Sequence, residues 1–178
     1  RETPMWKMTL EKQTRTDIVT TRLSRTSVRS RPSTTYGKLA VIIGAANIAL
    51  RAKGHEVTAG SDRVLTFGVR PSVSIPPNAL VLSDPIKLDV PASGDLAISL
   101  FIPKATTGAG IHYAAQQTSY VASVDPTGAA SIPETATITS WIFLTGADVW
   151  APVPTGAVVA VGHSITAGAL STVDPPPP

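Results

Sequence analysis

The residue types that could do covalent chemistry lie in one short stretch near the end of the chain. Residues 157–161 form a continuous apolar run, which Gly162-His163-Ser164 follows directly, and Gly168 comes shortly after. A run that is apolar on both faces predicts a buried strand. A glycine-flanked serine at the carboxyl end of such a strand lies where open α/β sheets place their chemistry. Ser164 is therefore the candidate nucleophile.

A nucleophilic serine needs a base within about 3 Å and a third group that orients the base. The neighbouring His163 is a poor candidate, because adjacent side chains in an extended backbone point away from each other. The other groups that could complete a triad are His55, His112, Asp148 and Asp174. Of these we take His112 as the candidate base. The alternative, which the sequence favours, is that Ser164 is inactive in this chain by itself.

Metal and cofactor chemistry have little support in the sequence. The chain has no cysteine and three scattered histidines, so no pair of ligands has the spacing of a metal site. Gly108-Ala109-Gly110 is followed by no Lys-Ser/Thr, which indicates a turn rather than a phosphate loop. We expect no metal and no cofactor.

The composition predicts an all-β fold, an antiparallel β-sandwich with a jelly-roll-like arrangement. The chain of 178 residues has 16 prolines and 13 glycines, and its short apolar segments are separated by Gly, Pro and Asp turns. Residues 96–102 are the most strand-like, and residues 86–90 alternate with Lys87 and Asp89 toward water. Residues 138–144 predict a further strand, with Trp141 and Phe143 on one face.

Prolines 152 and 154 mark a change from alternating segments to the apolar run. This predicts a boundary, with an N-terminal extension over residues 1–12 and a sandwich domain over 13–151. Residues 152–178 then hold a linker, the block around Ser164 with a short apolar strand and turn, and a proline-rich tail.

Charge is distributed unevenly along the chain. Residues 1–38 carry nine Lys/Arg and three Asp/Glu, whereas residues 39–178 carry six and nine. The arginines of the first part alternate with Ser and Thr and do not cluster on an aromatic platform, so we expect a solvated outer strand face and no nucleic-acid partner. No apolar run reaches the roughly 18 residues of a membrane span, so none is expected.

The block around Ser164 resembles the first sequence block of the SGNH (GDSL-type) hydrolases, an apolar strand followed by Gly-Asp-Ser-[Leu/Ile]-Thr-x-Gly. Several other stretches are similar to the β-sandwich that precedes the catalytic domain in a group of bacterial members: residues 17–50, 60–103, 116–130 and 138–144. The resemblance implies an esterase or lipase in which Ser164 is the nucleophile and Gly162 and Gly168 are the turn glycines. It also implies a small ester or an acylated carbohydrate as substrate. His163 stands where the family has aspartate.

The family's asparagine oxyanion donor and its late Asp-x-x-His have no counterpart in this sequence. We therefore expect mainly the accessory sandwich, with an incomplete catalytic site. The sequence does not define the cellular compartment, although the resemblance is compatible with a secreted or periplasmic location.

The alternative is a non-catalytic module that binds carbohydrate or associates with itself. Its candidate stacking residues are Trp6, Trp141, Trp150, Tyr36, Tyr113 and Tyr120, with Trp141 expected in the core. We expect a homo-oligomer, because the apolar run 157–161 must be covered.

Overall fold

Every regular element in the described part of the chain is a β-strand. The structure, a computed structural model, describes residues 9–107, 111–113, 115–123, 136–150, 161 and 171–174. In chain order the strands of these residues are β1 Thr9–Leu10, β2 Gln13–Thr20, β3 Arg25–Pro32, β4 Val41–Ile43, β5 Ala45–Lys53, β6 Glu56–Val57, β7 Arg63–Val64, β8 Val73–Ile75, β9 Ile86–Val90, β10 Asp95–Ile102, β11 Thr106–Thr107, β12 Ile111–His112, β13 Ser119–Ala122, β14 Ala136–Ile138, β15 Trp141–Ile142 and β16 Leu144–Val149. The pairs that they form are antiparallel. The predicted all-β antiparallel class is confirmed.

The largest sheet is built around β10. Its strand order is β14-β13-β2-β10-β5-β6, and β7 also pairs with β5. β10 pairs with β2 from Asp95↔Thr20 to Ile102↔Gln13, and with β5 on its other side. Because β10 has a neighbour on each side and is buried on both faces along most of its length, its sequence is nearly continuously apolar. This is why the sequence predicted it so clearly.

A second sheet, with the strand order β16-β3-β9, packs against the largest one. Val28 and Leu88 of this sheet belong to the same core cluster as Ile98 and Leu100 of β10. Burial of each such aliphatic side chain stabilises the fold by about 1.5–3 kcal/mol. In β9 the predicted alternation is confirmed, since Lys87 and Asp89 are exposed while the residues that follow each of them are buried. The two sheets thus form a sandwich.

The prediction of one continuous strand over residues 138–144 is wrong. β14 ends at Ile138, β15 covers only Trp141–Ile142, and β16 begins at Leu144. Phe143 between them has a φ of 62°, a left-handed conformation that breaks a strand. The break moves the chain from its pairing with β12 to its pairing with β3. Trp141 and Phe143 therefore do not share one strand face.

The expectation that the arginines of residues 1–38 lie on a solvated face is wrong for Arg15, which is 1% exposed. Arg15 lies opposite Leu100, and Asp17 lies opposite Ile98. Directly opposed residues of paired strands share a face, so both ionic side chains point into the core between the sheets. Arg15 Nη2 lies 3.8 Å from Asp17 Oδ1, and this opposite charge makes the burial of Arg15 tolerable.

Candidate functional site

A cleft of about 230 Å³ opens where β3 ends and β12 and β16 begin. The described residues that line it are Ser33, Thr35, Tyr36, Ile111, His112, Leu144 and Thr145. Ser33 follows β3 directly, and Leu144 pairs with Pro32 at the end of β3. The cleft is therefore held by the second sheet and by the turn that leaves it.

Tyr36 stands at the rim of this cleft and is 90% exposed. Its φ of 66° lies in the left-handed region, which costs a residue other than glycine about 1–3 kcal/mol. Two backbone hydrogen bonds hold this conformation. The Tyr36 N–H donates to Asn78 Oδ1 at 3.2 Å, and the Gly37 N–H donates to Thr34 O at 2.6 Å. The backbone that carries this exposed aromatic ring is thus held by a strained turn.

His112 also lines the cleft, and its ring contacts the ring of Trp141. The two residues are directly opposed in the β12–β15 ladder. Their ring centroids lie 5.3 Å apart, with an angle of 32° between the ring planes. His112 is exposed and Trp141 is half-buried, so Trp141 supports an imidazole ring that faces solvent. The expected core position of Trp141 is confirmed only in part.

The hydroxyl groups of the cleft are positioned by backbone carbonyls. Thr145 Oγ1 donates to Arg31 O at 2.8 Å. Ser33 Oγ donates to Ala79 O at 3.2 Å, so in the contact of 2.6 Å between Ser33 Oγ and Thr35 Oγ1 the threonine is the donor. The hydroxyl hydrogens of Thr35 and Thr145 therefore point to oxygens of the protein, and the hydroxyl oxygens can accept hydrogen bonds from a ligand.

Buried polar atoms surround the Arg15–Asp17 pair in the core. Arg15 Nη2 donates to the backbone oxygen of Ser140 at 3.3 Å. Several buried polar atoms have no hydrogen-bond partner within the described residues: Arg15 Nε and Nη1, both carboxylate oxygens of Asp17, Ser119 Oγ and Trp141 Nε1. Leaving such an atom unpaired costs about 1–3 kcal/mol, so the cluster is a costly feature of the core.

Burial raises the pKa of Asp17 to about 6, while the Arg15 charge lowers it. The Ser119 hydroxyl and the Ile142 backbone act in the same direction as Arg15, although neither makes a hydrogen bond of good geometry to the carboxylate. Desolvation also lowers the pKa of Arg15, against the opposing effect of Asp17. Burial is the larger effect on both groups.

The candidate catalytic residues divide into two sets. Ser164, Gly162 and Gly168 lie outside the described residues, as does His163. His112 lies in the cleft, as described above. The roles of all of them stay predictions.

The other groups considered for a triad have partners elsewhere. His55 contacts the Tyr120 ring at 6.2 Å between centroids. Asp148 forms ion pairs with Arg29 at 3.0 Å and Arg31 at 3.3 Å. Asp174 accepts hydrogen bonds from the backbone N–H and the hydroxyl of Thr118, at 2.7 and 2.5 Å. None of these contacts brings an acid to His112.

Only some of the aromatic residues considered for a stacking platform are exposed. Tyr36 and Tyr113 are highly exposed, at 90% and 77%, and Trp150 is exposed. Tyr120 is buried, because it belongs to the central part of the largest sheet and packs against Ile18. Its inclusion in a stacking platform was therefore wrong, and Trp6 lies outside the described residues.

Within the part of the chain that the structure describes, no three His, Cys, Asp or Glu side chains are grouped so that they could hold a metal ion. The described residues contain no helix of the length and apolarity that crossing a membrane requires. A scan against protein-family models and a search of curated proteins both give no match to this sequence.

Proposed function

We propose that this chain is an ester hydrolase of the SGNH (GDSL-type) class, present mainly as its accessory β-sandwich. Ser164 is the proposed nucleophile of a site that lacks the family's asparagine and Asp-x-x-His blocks, so any base must come from another residue of this chain. One observation carries the proposal. The apolar run 157–161 leads directly into Gly162-His163-Ser164, with Gly168 beyond, and it follows an antiparallel sandwich of the kind that the resemblance implies. A small ester or an acylated carbohydrate is the proposed substrate.

The proposed reaction has two steps. Ser164 Oγ attacks the ester carbonyl carbon while its proton passes to a base, and the alcohol leaves with that proton to give an acyl-enzyme. Water then attacks the acyl carbon and gives a proton to the same base, which passes it to Ser164 Oγ as the bond between that oxygen and the acyl carbon breaks and the acid is released. The backbone at Gly162 and Gly168 is the candidate source of N–H groups for the negative oxygen. His112 is kept as the candidate base.

Hydrolysis of p-nitrophenyl acetate and p-nitrophenyl butyrate tests the proposal. Ser164→Ala removes the attacking oxygen, so its rate is expected to fall to that of buffer alone. Ser171→Ala is the matched control, since it makes the same change at an exposed serine, and its rate should stay within about twofold of wild type. Equal rates for wild type and Ser164→Ala would contradict the proposal.

We also propose that the chain forms a homo-oligomer. Val161, at the end of the apolar run, is exposed. An apolar segment that is left uncovered favours association with a second chain.

A further inference from the structure

We propose that the cleft between Tyr36 and His112 is a binding site for a single neutral sugar ring. This inference goes beyond ester hydrolysis and does not depend on it, because it uses only residues of the sandwich. It would make the sandwich a carbohydrate-binding module, whether or not Ser164 is reactive.

The side chains of the cleft favour an uncharged ligand. Among the described residues that line it, none is Asp, Glu, Lys or Arg. Two cations lie two residues from the lining along the chain: Arg31, which is paired with Asp148, and Lys38, which is exposed and does not line the cleft. Phosphate and carboxylate ligands are normally recognised by Arg or Lys side chains or by converging backbone N–H groups. A neutral polyol needs none of these.

Two aromatic rings that line the cleft, those of Tyr36 and His112, suit the apolar C–H faces of a pyranose. Tyr36 is almost fully exposed, and His112 is exposed with the ring of Trp141 against its imidazole. Leu144 is buried and contributes an apolar lining surface. Aromatic rings with apolar faces and solvent-exposed polar edges are typical of surfaces that bind amphipathic ligands.

The polar groups of the cleft suit sugar hydroxyls. Thr35 and Thr145 donate their hydrogens to protein oxygens, so each presents an acceptor to a ligand. A sugar hydroxyl that enters the cleft can donate to these oxygens and accept from the imidazole N–H of His112. A hydrocarbon ligand would leave these groups unpaired.

The size and rigidity of the site set its expected strength. About 230 Å³ is below the roughly 300–1,000 Å³ of pockets that enclose a drug-sized ligand, so one ring is accommodated rather than a chain. The Tyr36 turn is already held by hydrogen bonds to Asn78 and Thr34, so little ordering is needed on binding. We expect weak binding, with a Kd on the order of 1 mM.

The test is a ¹H–¹⁵N NMR titration of the full chain with methyl glycosides of glucose, xylose, mannose and N-acetylglucosamine. At least one glycoside should shift the amide signals of Tyr36, His112 and Thr145. Tyr36→Ala should raise its Kd about tenfold, and Tyr36→Phe, which keeps the ring, should stay within about threefold. Tyr113→Ala is the matched control, because Tyr113 is exposed and adjacent to His112 but does not line the cleft.

Two results would overturn the proposal. One is the absence of shifts at these three amides with every glycoside up to about 50 mM. The other is an equal loss of binding in Tyr113→Ala and Tyr36→Ala, when the remaining amide signals show that both variants are folded. Ser164→Ala should bind the glycoside as wild type does. Failure of ester hydrolysis and failure of sugar binding are therefore separate outcomes.

Discussion

At the scale of single residues, the buried Arg15–Asp17 pair is the feature with the largest expected energetic effect. Both side chains are 1% exposed, and the N–O distance of 3.8 Å is long for an ion pair that must compensate for two desolvated charges. Removing both charges is therefore expected to change the free energy of unfolding less than removing only one of them.

Arg15→Met should destabilise the fold in a pH-dependent way. Burial already raises the pKa of Asp17 from its usual 3.8 to about 6, and loss of the cation raises it further. The folded state then holds a proton that the unfolded chain has released, so stability falls as pH rises through this range. We expect the free energy of unfolding in urea to fall by about 3–5 kcal/mol at pH 8 and by clearly less at pH 5.

The matched variant is Arg15→Met/Asp17→Leu, which leaves no charge behind. Its free energy of unfolding should lie within about 2 kcal/mol of wild type, or above it, and this site should add no pH dependence. A loss in Arg15→Met that is the same at pH 5 and pH 8 would show that packing, rather than the uncompensated carboxylate, is responsible.

Residue types alone could identify some of these side chains but not their surroundings. Tyr36 and His112 were candidates from the sequence, yet the chain order gives no sign that they share a cleft. Their proximity follows from the strained turn at Tyr36 and from the pairing of β12 with β15. Arg15 and Asp17 carry opposite charges and are two residues apart, so the sequence could have predicted an ion pair on one strand face. The expectation that the arginines face solvent did not take this spacing into account.

At the scale of elements, the connection between β7 and β8 combines strain with a fixed anchor. Val69 has a φ of 62° and is 87% exposed, a rare conformation for a β-branched residue. Asp84 holds the loop, accepting hydrogen bonds from the Gly68 and Val69 N–H groups at 3.1 and 2.8 Å and from the Thr66 hydroxyl at 2.6 Å. These bonds lower the pKa of Asp84, the Thr66 hydroxyl most of all.

Val69→Gly should stabilise the protein, because glycine adopts the left-handed conformation without steric cost. The gain is partly offset by the greater freedom of glycine in the unfolded chain, which leaves about 0.5–1 kcal/mol. Val64→Gly is the matched control. Val64 is also exposed but lies within β7, where glycine weakens a strand by a similar amount. The explanation would be contradicted if chemical unfolding showed that both substitutions change the free energy of unfolding in the same direction.

Strand prediction from the sequence was accurate where the pattern of burial was simple. β9 alternates between water and core, and β10 is buried on both faces, so both were found near their observed bounds. Residues 138–144 were predicted as one strand because their side chains are strand-forming. The positive φ of Phe143 arises from tertiary packing of a fully buried ring, and residue type gives no sign of it.

At the scale of the whole molecule, the stretch around Ser164 is anchored to the sandwich on both sides. Before it, the Trp150 N–H donates to Ser27 O at 2.9 Å. After it, Asp174 is bonded to Thr118, and its own N–H donates to Gln116 O at 2.9 Å. The sandwich therefore holds both ends of the segment that carries the candidate nucleophile.

Sedimentation velocity at micromolar concentration tests the proposed homo-oligomer. We expect a dimer or larger species, because the apolar run ending at the exposed Val161 gains from being covered by a second chain. Val161→Lys should shift the distribution toward monomer by placing a charge in the contact. A wild-type protein that sediments only as a monomer would show that no such contact forms.

Covalent labelling with a fluorophosphonate tests the central proposal most directly, because this reagent phosphonylates an activated serine and leaves ordinary serines unmodified. After proteolysis and mass spectrometry, we predict an adduct on the peptide that contains Ser164, and no adduct after Ser164→Ala or after unfolding in urea. A folded wild-type protein without an adduct at Ser164 would contradict the assignment of this chain as a serine ester hydrolase.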